Sequence, residues 1–424
     1  MARRQHTLNG RKTGAAPARP VPIPRRDAIL CPAMTSLSTP PGAAHPARLA
    51  PNPRLDRAHP YPAALEPILS LAAEEVARKE ISSWPGHAPT PLRDLPSIAR
   101  ELGLGAVAFK EEQHRFGLRS FKALGGAYAV KKLAAAPGGP PAAVCCATDG
   151  NHGRSVAWGA REAGLRCVIY VHEGVSEARA AAIRAFGAEV RRVGGNYDDS
   201  VRIAAADAAR EGWTVVSDTS WEGYQDIPRD VMQGYGVMVG EAMAQHAALH
   251  GAPPSHVLVQ GGVGGVAAAT VAHLWERLGA ARPRVVVVEP DKADCLTRSA
   301  EQGRVVHLSG DLDTIMAGLS CGEPSPLAWA VLDPGADAFM AIGDAAIAPA
   351  MRALAALGVV GGESGVAGLA GLSIAARDRA MRAALGLDAS SRVLLFGTEG
   401  ATDPALYEEL VGESAESVMK RAAA

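Results

Sequence analysis

Three stretches of the chain group residues that can do chemistry. The first is Ser120-Phe-Lys-Ala-Leu-Gly-Gly126. Lys122 stands at the start of a helical run, with apolar Phe121, Ala123 and Leu124 around it. Such surroundings disfavour the charged ammonium, and a neutral amine is what imine formation with a carbonyl requires. A lone lysine is ordinarily a solvated surface residue, so the reading needs a partner group elsewhere. The second stretch, Gln260-Gly-Gly-Val-Gly-Gly265, follows an apolar run and opens a helical one. Gly261, Gly262, Val263, Gly264 and Gly265 let backbone N–H groups converge, and the helix N-terminus adds partial positive charge. This is a phosphate cradle or a tight turn made for helix–strand packing. It is not the GxGxxG spacing of a dinucleotide fold, and no Walker lysine follows. A phosphate with no lysine or arginine beside it suits a cofactor held mainly by backbone amides.

The third stretch is Thr148-Asp-Gly-Asn-His-Gly153, directly after an apolar run. Asp149 and Asn151 can cap a helix, but so many polar groups in succession exceed a capping need. The loop's N–H groups and Thr148 can hold a carboxylate, and Asn151 can hold a phenolate oxygen. Pure capping remains the alternative.

These stretches need a scaffold that brings them together. From Pro60 onward, short β-branched runs alternate with Ala-rich helical stretches. Strands are expected at Ala106–Lys110, Ala143–Ala147, Cys167–Val171, Glu189–Val193 and Thr214–Ser217. Further strands are expected at His256–Gln260, Arg284–Glu289 and Arg392–Phe396. Helices are expected at Leu65–Lys79, Phe121–Leu133, Asn151–Ala163, Ser176–Phe186, Asp198–Glu211, Asp230–Leu249 and Val263–Leu278. Such alternation indicates βαβ units and mostly parallel sheets. The expected fold class is α/β with two lobes, each a mostly parallel sheet flanked by helices. The boundaries read as a large lobe over 56–122 and 240–424 and a small inserted lobe over 123–239. Residues 1–55 read as a disordered extension, rich in Arg, Pro and Ala, with Asp27 as its only acid.

The 424 residues are 48% hydrophobic with a net charge of −1, which gives no long-range pull on nucleic acid or an anionic membrane. No apolar stretch reaches the length of a membrane span. Six cysteines in a chain this long make no disulfide framework, and no Cys/His spacing suits a metal. Cys295 and Cys321 flank the expected substrate-side loops of the second lobe (Asp291–Thr297 and Met316–Pro326); a disulfide between them is the alternative to the free thiols expected in a cytoplasmic compartment.

The three stretches in this order, with a last strand followed by Gly397-Thr398, resemble the fold-type II pyridoxal-phosphate family. Threonine and serine dehydratases and the tryptophan synthase β chain are its members. The resemblance covers Pro60 to the C-terminus. It implies a pyridoxal 5′-phosphate cofactor in the cleft between two lobes, joined to Lys122 as an imine, with Phe121 beside it. It implies that Asn151 bonds the cofactor's 3′ oxygen, that Gly261–Gly265 hold its phosphate and that Thr398 faces its pyridine nitrogen. It also implies that Ser120, Thr148 and His152 hold a substrate carboxylate, and that the chain is a homodimer acting on a small amino acid. One departure matters: dehydratases have Ser-Ser where this chain has Thr148-Asp149. Asp149, Asp218 and the stretches Arg115–Tyr128 and Ser217–Tyr224 resemble the diaminopropionate ammonia-lyase branch. That implies elimination of ammonia from 2,3-diaminopropionate, with Asp149 and Asp218 catalytic. A serine/threonine dehydratase and a non-catalytic cofactor-binding homologue are the alternatives.

Overall fold

The computed structural model describes residue 37 and residues 47–195, 197–310 and 312–423. Eleven strands occur in the described chain: β1 (Arg48–Pro51), β2 (Leu92–Asp94), β3 (Ala106–Glu111), β4 (Val144–Ala147), β5 (Cys167–His172), β6 (Glu189–Val193), β7 (Thr214–Val215), β8 (His256–Gln260), β9 (Arg284–Pro290), β10 (Ala338–Ile342) and β11 (Arg392–Gly397). They form two sheets. The larger runs β1-β10-β9-β8-β11-β3-β2, and the smaller β6-β5-β4-β7. Every pair in the smaller sheet is parallel. In the larger sheet only the edge strands β1 and β2 run antiparallel to their neighbours.

The central strands are apolar along their whole length because helices cover both faces. Val257–Val259, Val285–Val288 and Val393–Phe396 are all buried, and two large apolar clusters fill the opposite faces of the larger sheet. Parallel strands end on one edge, so the loops after β4, β7, β8 and β11 carry the polar residues that open onto one cleft. The helix Ala123–Ala134 packs against the helices Asn151–Ala163 and Asp226–His250. That approach is very close: a Cβ on Gly234 would lie 1.9 Å from the carbonyl oxygen of Leu124. The backbone that follows Lys122 is thereby fixed by contact rather than by side-chain reach.

Three strands were not expected from the sequence. β10 (Ala-Phe-Met-Ala-Ile) carries one β-branched residue, and its Ala-rich flanks read as helix. β2 is three residues long. β1 falls inside the stretch expected to be a disordered extension, and this corrects its C-terminal end. Arg48–Pro51 pairs with β10, and a proline is tolerated there because the strand lies at an edge. Arg48 bonds to Asp294, Arg54 pairs with Asp333 at 2.5 Å, and the Asn52 side chain donates to the carbonyl of Ala336 at 2.8 Å. Apart from Leu37, which is buried, the extension before Ala47 lies outside the described residues. The first expected helix starts late, at Leu71, because Ser70 caps it by accepting from Ala73 N–H at 3.2 Å. Cys145, Cys146, Cys167, Cys295 and Cys321 are free thiols, and no helix of the described residues is long and apolar enough to cross a membrane.

A buried charge cluster fixes the loop that leads to Lys122. Arg115 is 1% exposed and donates to Glu112 at 2.8 Å and to Glu241 at 2.7 Å. Lys110 joins it through Glu241 at 2.8 Å. Removing one partner of such a cluster leaves an uncompensated buried charge, typically at a cost of about 3–5 kcal/mol. Arg115→Met should therefore bring thermal unfolding to a clearly lower temperature, measured by circular dichroism. An unchanged transition would show that the cluster does not hold this loop.

Candidate active site

Lys122 is delivered by an irregular segment. Phe116 and Arg119 adopt left-handed φ of 50° and 56°, strained for non-glycine residues. The strain is held by Arg115 on one side and by β11 on the other. Phe121 N–H donates to Thr398 O at 3.0 Å, and Gly400 N–H donates to Arg119 O at 3.0 Å. This short antiparallel contact brings Ser120, Phe121 and Lys122 beside Thr398 and Glu399. Ser120 Oγ accepts from Lys122 N–H at 3.3 Å.

The Lys122 side chain lies between the rings of Phe121 and Tyr235, its Nζ 5.4 Å and 5.8 Å from their centroids. It donates to Asp218 Oδ2 at 2.6 Å. Here the structure corrects the sequence reading. Burial does work against the ammonium, but the carboxylate of Asp218 outweighs it, and the amine is raised above its ordinary pKa. Burial likewise pushes the Asp218 carboxyl up, yet the Lys122 charge prevails and holds it below the usual range. Without cofactor, Lys122 is a charged, paired amine.

The Thr148–Gly153 loop divides its work. Thr148 Oγ1 accepts from the N–H groups of Gly150 and Gly153, each at 3.0 Å. Its oxygen thus shapes the loop, no side chain caps the helix Asn151–Ala163, and only the Thr148 O–H is left to meet a ligand. Asp149 Oδ1 lies 2.9 Å from His172 Nε2, at the end of the adjacent strand. Asn151 Nδ2 donates to Glu399. His152 Nε2 lies 2.7 Å from Val216 O, which can only accept, so Nε2 carries the proton. Its Nδ1 faces Asp218 Oδ2 at 3.8 Å without a hydrogen-bond partner among the described residues. Burial, opposed by Asp218, lowers the His152 pKa. The ring thus lines the cleft with a bare nitrogen turned to Asp218.

The glycine loop supplies amides. Gly261 N–H closes the sheet on Val288 O at 2.8 Å, and Gly264 N–H donates to Gly261 O at 3.1 Å. The N–H groups of Gly262, Val263 and Gly265 have no partner among the described residues. They stand at the N-terminus of the helix Gly265–Leu278, where an anion is favoured. Gly264 has φ 99°, and a Cβ there would press on Ala328 and Leu332 at 3.0 Å, so its share is the turn itself.

All the residues expected at the site line one cleft of about 940 Å3, counted to its open mouth, except Gly264. Sequence reasoning missed several others in its wall: Gln260, Arg179, Tyr197, Tyr235 and Glu399. It also missed the turn Gly361-Gly362-Glu363-Ser364-Gly365, whose Ser364 lines the cleft. Two acids between glycine-flanked turns, Glu363 and Glu399, were the signal available. Burial and then Glu399 push the Glu363 carboxyl up to about 8. Arg179 Nη2 donates to it at 2.6 Å.

The family model for pyridoxal-phosphate dependent enzymes matches residues 83–398. This chain belongs to the pyridoxal-phosphate dependent enzymes. Diaminopropionate ammonia-lyase of Escherichia coli (strain K12) is 38% identical over 376 residues, 83% of this chain and 94% of that protein. Its counterpart in Salmonella typhimurium (strain LT2) is 40% identical over 360 residues, 77% of this chain and 89% of that protein. Among solved structures, the Escherichia coli diaminopropionate ammonia lyase in complex with an aminoacrylate-PLP azomethine reaction intermediate superposes with a TM-score of 0.79. It is 37% identical, over 86% of this chain and 96% of that one.

The cofactor of this pyridoxal-phosphate dependent enzyme is pyridoxal 5′-phosphate, and the cleft fits it. Three free amides at a helix N-terminus suit the phosphate. Gln260 Oε1 and His152 Nδ1 are buried polar atoms of the wall with no protein partner among the described residues.

The ion pair makes its own prediction. Asp218 has a lowered pKa, so its contribution to stability is present above the ordinary carboxylate value and lost as pH falls through the depressed one. Lys122 has a raised pKa, so its contribution is present below the ordinary amine value and lost as pH rises through the raised one. The pair is intact across neutral pH. In Asp218→Asn, burial acts on Lys122 without its largest opposing charge. Acylation of Lys122 in cofactor-free protein, followed by peptide mass spectrometry, should then begin at least about one pH unit lower than in the wild type. An unshifted profile would remove Asp218 as the counter-charge.

Proposed function

We propose that this protein is a 2,3-diaminopropionate ammonia-lyase, converting its substrate and water to pyruvate and two molecules of ammonia. The observation that carries this reading is the pair of carboxylates, Asp149 and Asp218, that share one cleft with Lys122. A second acid beside the carboxylate of a hydroxy amino acid is costly. A substrate with a β-ammonium group gives that acid a partner. The working form we propose is a cytoplasmic homodimer, with the cofactor between a large lobe (56–122 and 240–424, with β1 added to it) and a small one (123–239).

Lys122, Phe121, Asn151, Gly261–Gly265 and Thr398 hold the cofactor. Lys122 would attach it through its amine, the glycine loop would hold the phosphate, Asn151 the phenolic oxygen, and Thr398 the pyridine nitrogen. Bound there, pyridoxal phosphate supplies the electron sink that makes the substrate Cα–H acidic. The substrate carboxylate is held by the hydroxyls of Ser120 and Thr148 and by loop amides, with His152 packed behind them.

L- and D-isomers bound through the same groups present their α-hydrogens to opposite sides. Lys122 takes the proton of the L-isomer. Asp149 takes that of the D-isomer, with His172 holding its carboxylate in place. Asp218, 2.6 Å from the Lys122 amine, is placed to bind the β-ammonium, which departs as ammonia with the protons it brought. Loss of the α-hydrogen and cleavage of the Cβ–N bond release the first ammonia. The enamine that leaves the site takes up water and loses its α-nitrogen as the second.

Pyruvate release from D- and L-diaminopropionate, L-serine and L-threonine tests the reading. Diaminopropionate should be turned over best. Preference for serine or threonine would give the dehydratase reading instead, and no turnover of any would leave a cofactor-binding homologue. Borohydride reduction should fix the cofactor on the Lys122 peptide and on no other. Asp149→Asn should depress D-isomer turnover by about 100- to 10,000-fold while sparing the L-isomer. Equal losses on both isomers would make Asp149 a binding group only.

A further inference from the structure

Glu399 follows Thr398 at the end of β11 and is 4% exposed. One carboxylate oxygen accepts from Ser364 N–H at 2.9 Å, and the other accepts from Asn151 Nδ2. No lysine, arginine or histidine among the described residues forms an ion pair with it, although the buried carboxyl of Glu363 is one of its neighbours. Arg179, the nearby cation, is committed to Glu363.

A buried carboxylate without a counter-ion, next to a second carboxyl, is an expensive way to hold a turn. A glutamine would accept from Ser364 N–H equally well and carry no charge. What glutamine lacks is an acceptor at both atoms. A carboxylate can only accept, so the amide of Asn151 has to turn its nitrogen toward Glu399. A flip of that amide would set two acceptor oxygens against each other. Held this way, Asn151 keeps a second N–H free.

We infer that Glu399 is a positioning residue: its carboxylate locks the Asn151 amide so that Asn151 offers the cofactor's phenolic oxygen a donor rather than an acceptor. This rests on the reading that Asn151 meets that oxygen. The lock crosses from β11 in the larger sheet to the helix that follows β4 in the smaller one. It therefore also ties cofactor recognition to the approach of the two sheets.

The test uses holoenzyme stripped of cofactor and titrated with pyridoxal phosphate. Affinity, the bound absorption band across pH, and the melting temperature of the stripped protein are measured. Glu399→Gln should weaken binding by about tenfold and move the band, with the stripped protein melting as the wild type does. Glu399→Asp, which keeps both acceptors, should leave the band in place. Asn151→Ala should weaken binding similarly, and Glu399→Gln should add nothing in that background, since both changes break one interaction. Additive losses would overturn the inference while leaving the role of Asn151 intact. So would a band moved by Asp and not by Gln. An Asn151→Ala variant with wild-type affinity and band would remove the reading of Asn151, and the inference with it.

Discussion

A buried ammonium must have an opposite charge within reach, and the Lys122–Asp218 pair at 2.6 Å meets that demand. Lys122 begins the helix that leads into the smaller sheet, and Asp218 follows the last strand of that sheet. The two are 96 residues apart in sequence. An amine can join a carbonyl only when neutral, so on the proposed attachment at Lys122 the pair would be undone. Asp218 is then a buried carboxylate without its cation. A β-ammonium offers the same charge and the same donors as the lysine it replaces. On the proposed reading, the cofactor-free ion pair rehearses the substrate contact with the chain's own residues.

The rest of the cleft follows the same electrostatic logic. Its wall carries Asp149, Asp218 and Glu399, against Lys122 and an Arg179 already held by Glu363. A substrate with two amino groups is drawn to such a surface. An arginine clamp on the phosphate would weaken that field beside the reacting atoms. Amides at the N-terminus of the helix Gly265–Leu278 bind an anion with partial charges only, which leaves the acids dominant. Glycines at 262 and 264, with φ of 61° and 99°, are what let the backbone turn those amides inward.

Much of this was legible in the sequence because it is local. Glu189–Val193 and His256–Gln260 are β-branched runs bounded by turns, and both strands lie where their pattern puts them. The glycine loop and the Thr148–Gly153 loop announce themselves by composition. What was illegible depends on partners distant in the chain. β1 is a strand only because the edge of β10 is there to pair with it. The Lys122 amine looked neutral because its apolar neighbours are adjacent in sequence and Asp218 is not. That Thr148 also shapes its own loop was hidden, because the amides of Gly150 and Gly153 turn back to its oxygen only once the loop is folded. Glu399 was passed over because nothing near it in sequence shows that Asn151 faces it.

Register decides which of two adjacent residues meets the cofactor ring. Along an extended segment, neighbours point to opposite sides, and a slip of one residue exchanges them. Thr398 and Glu399 are such neighbours. Phe121 N–H on Thr398 O and Gly400 N–H on Arg119 O fix the alignment, and β11 carries it from its pairing with β3, where Gly397 faces Glu111. On the proposed placement, neutral Thr398 meets the pyridine nitrogen. A carboxylate there would hold that nitrogen protonated and spread charge into the ring, which suits proton exchange more than prompt loss of a β-amine. Glu399 is one residue away from doing so. Ser364 N–H and Asn151 turn its charge aside, so the side chain that would change the reaction if it faced the ring is spent on aiming the amide that binds it.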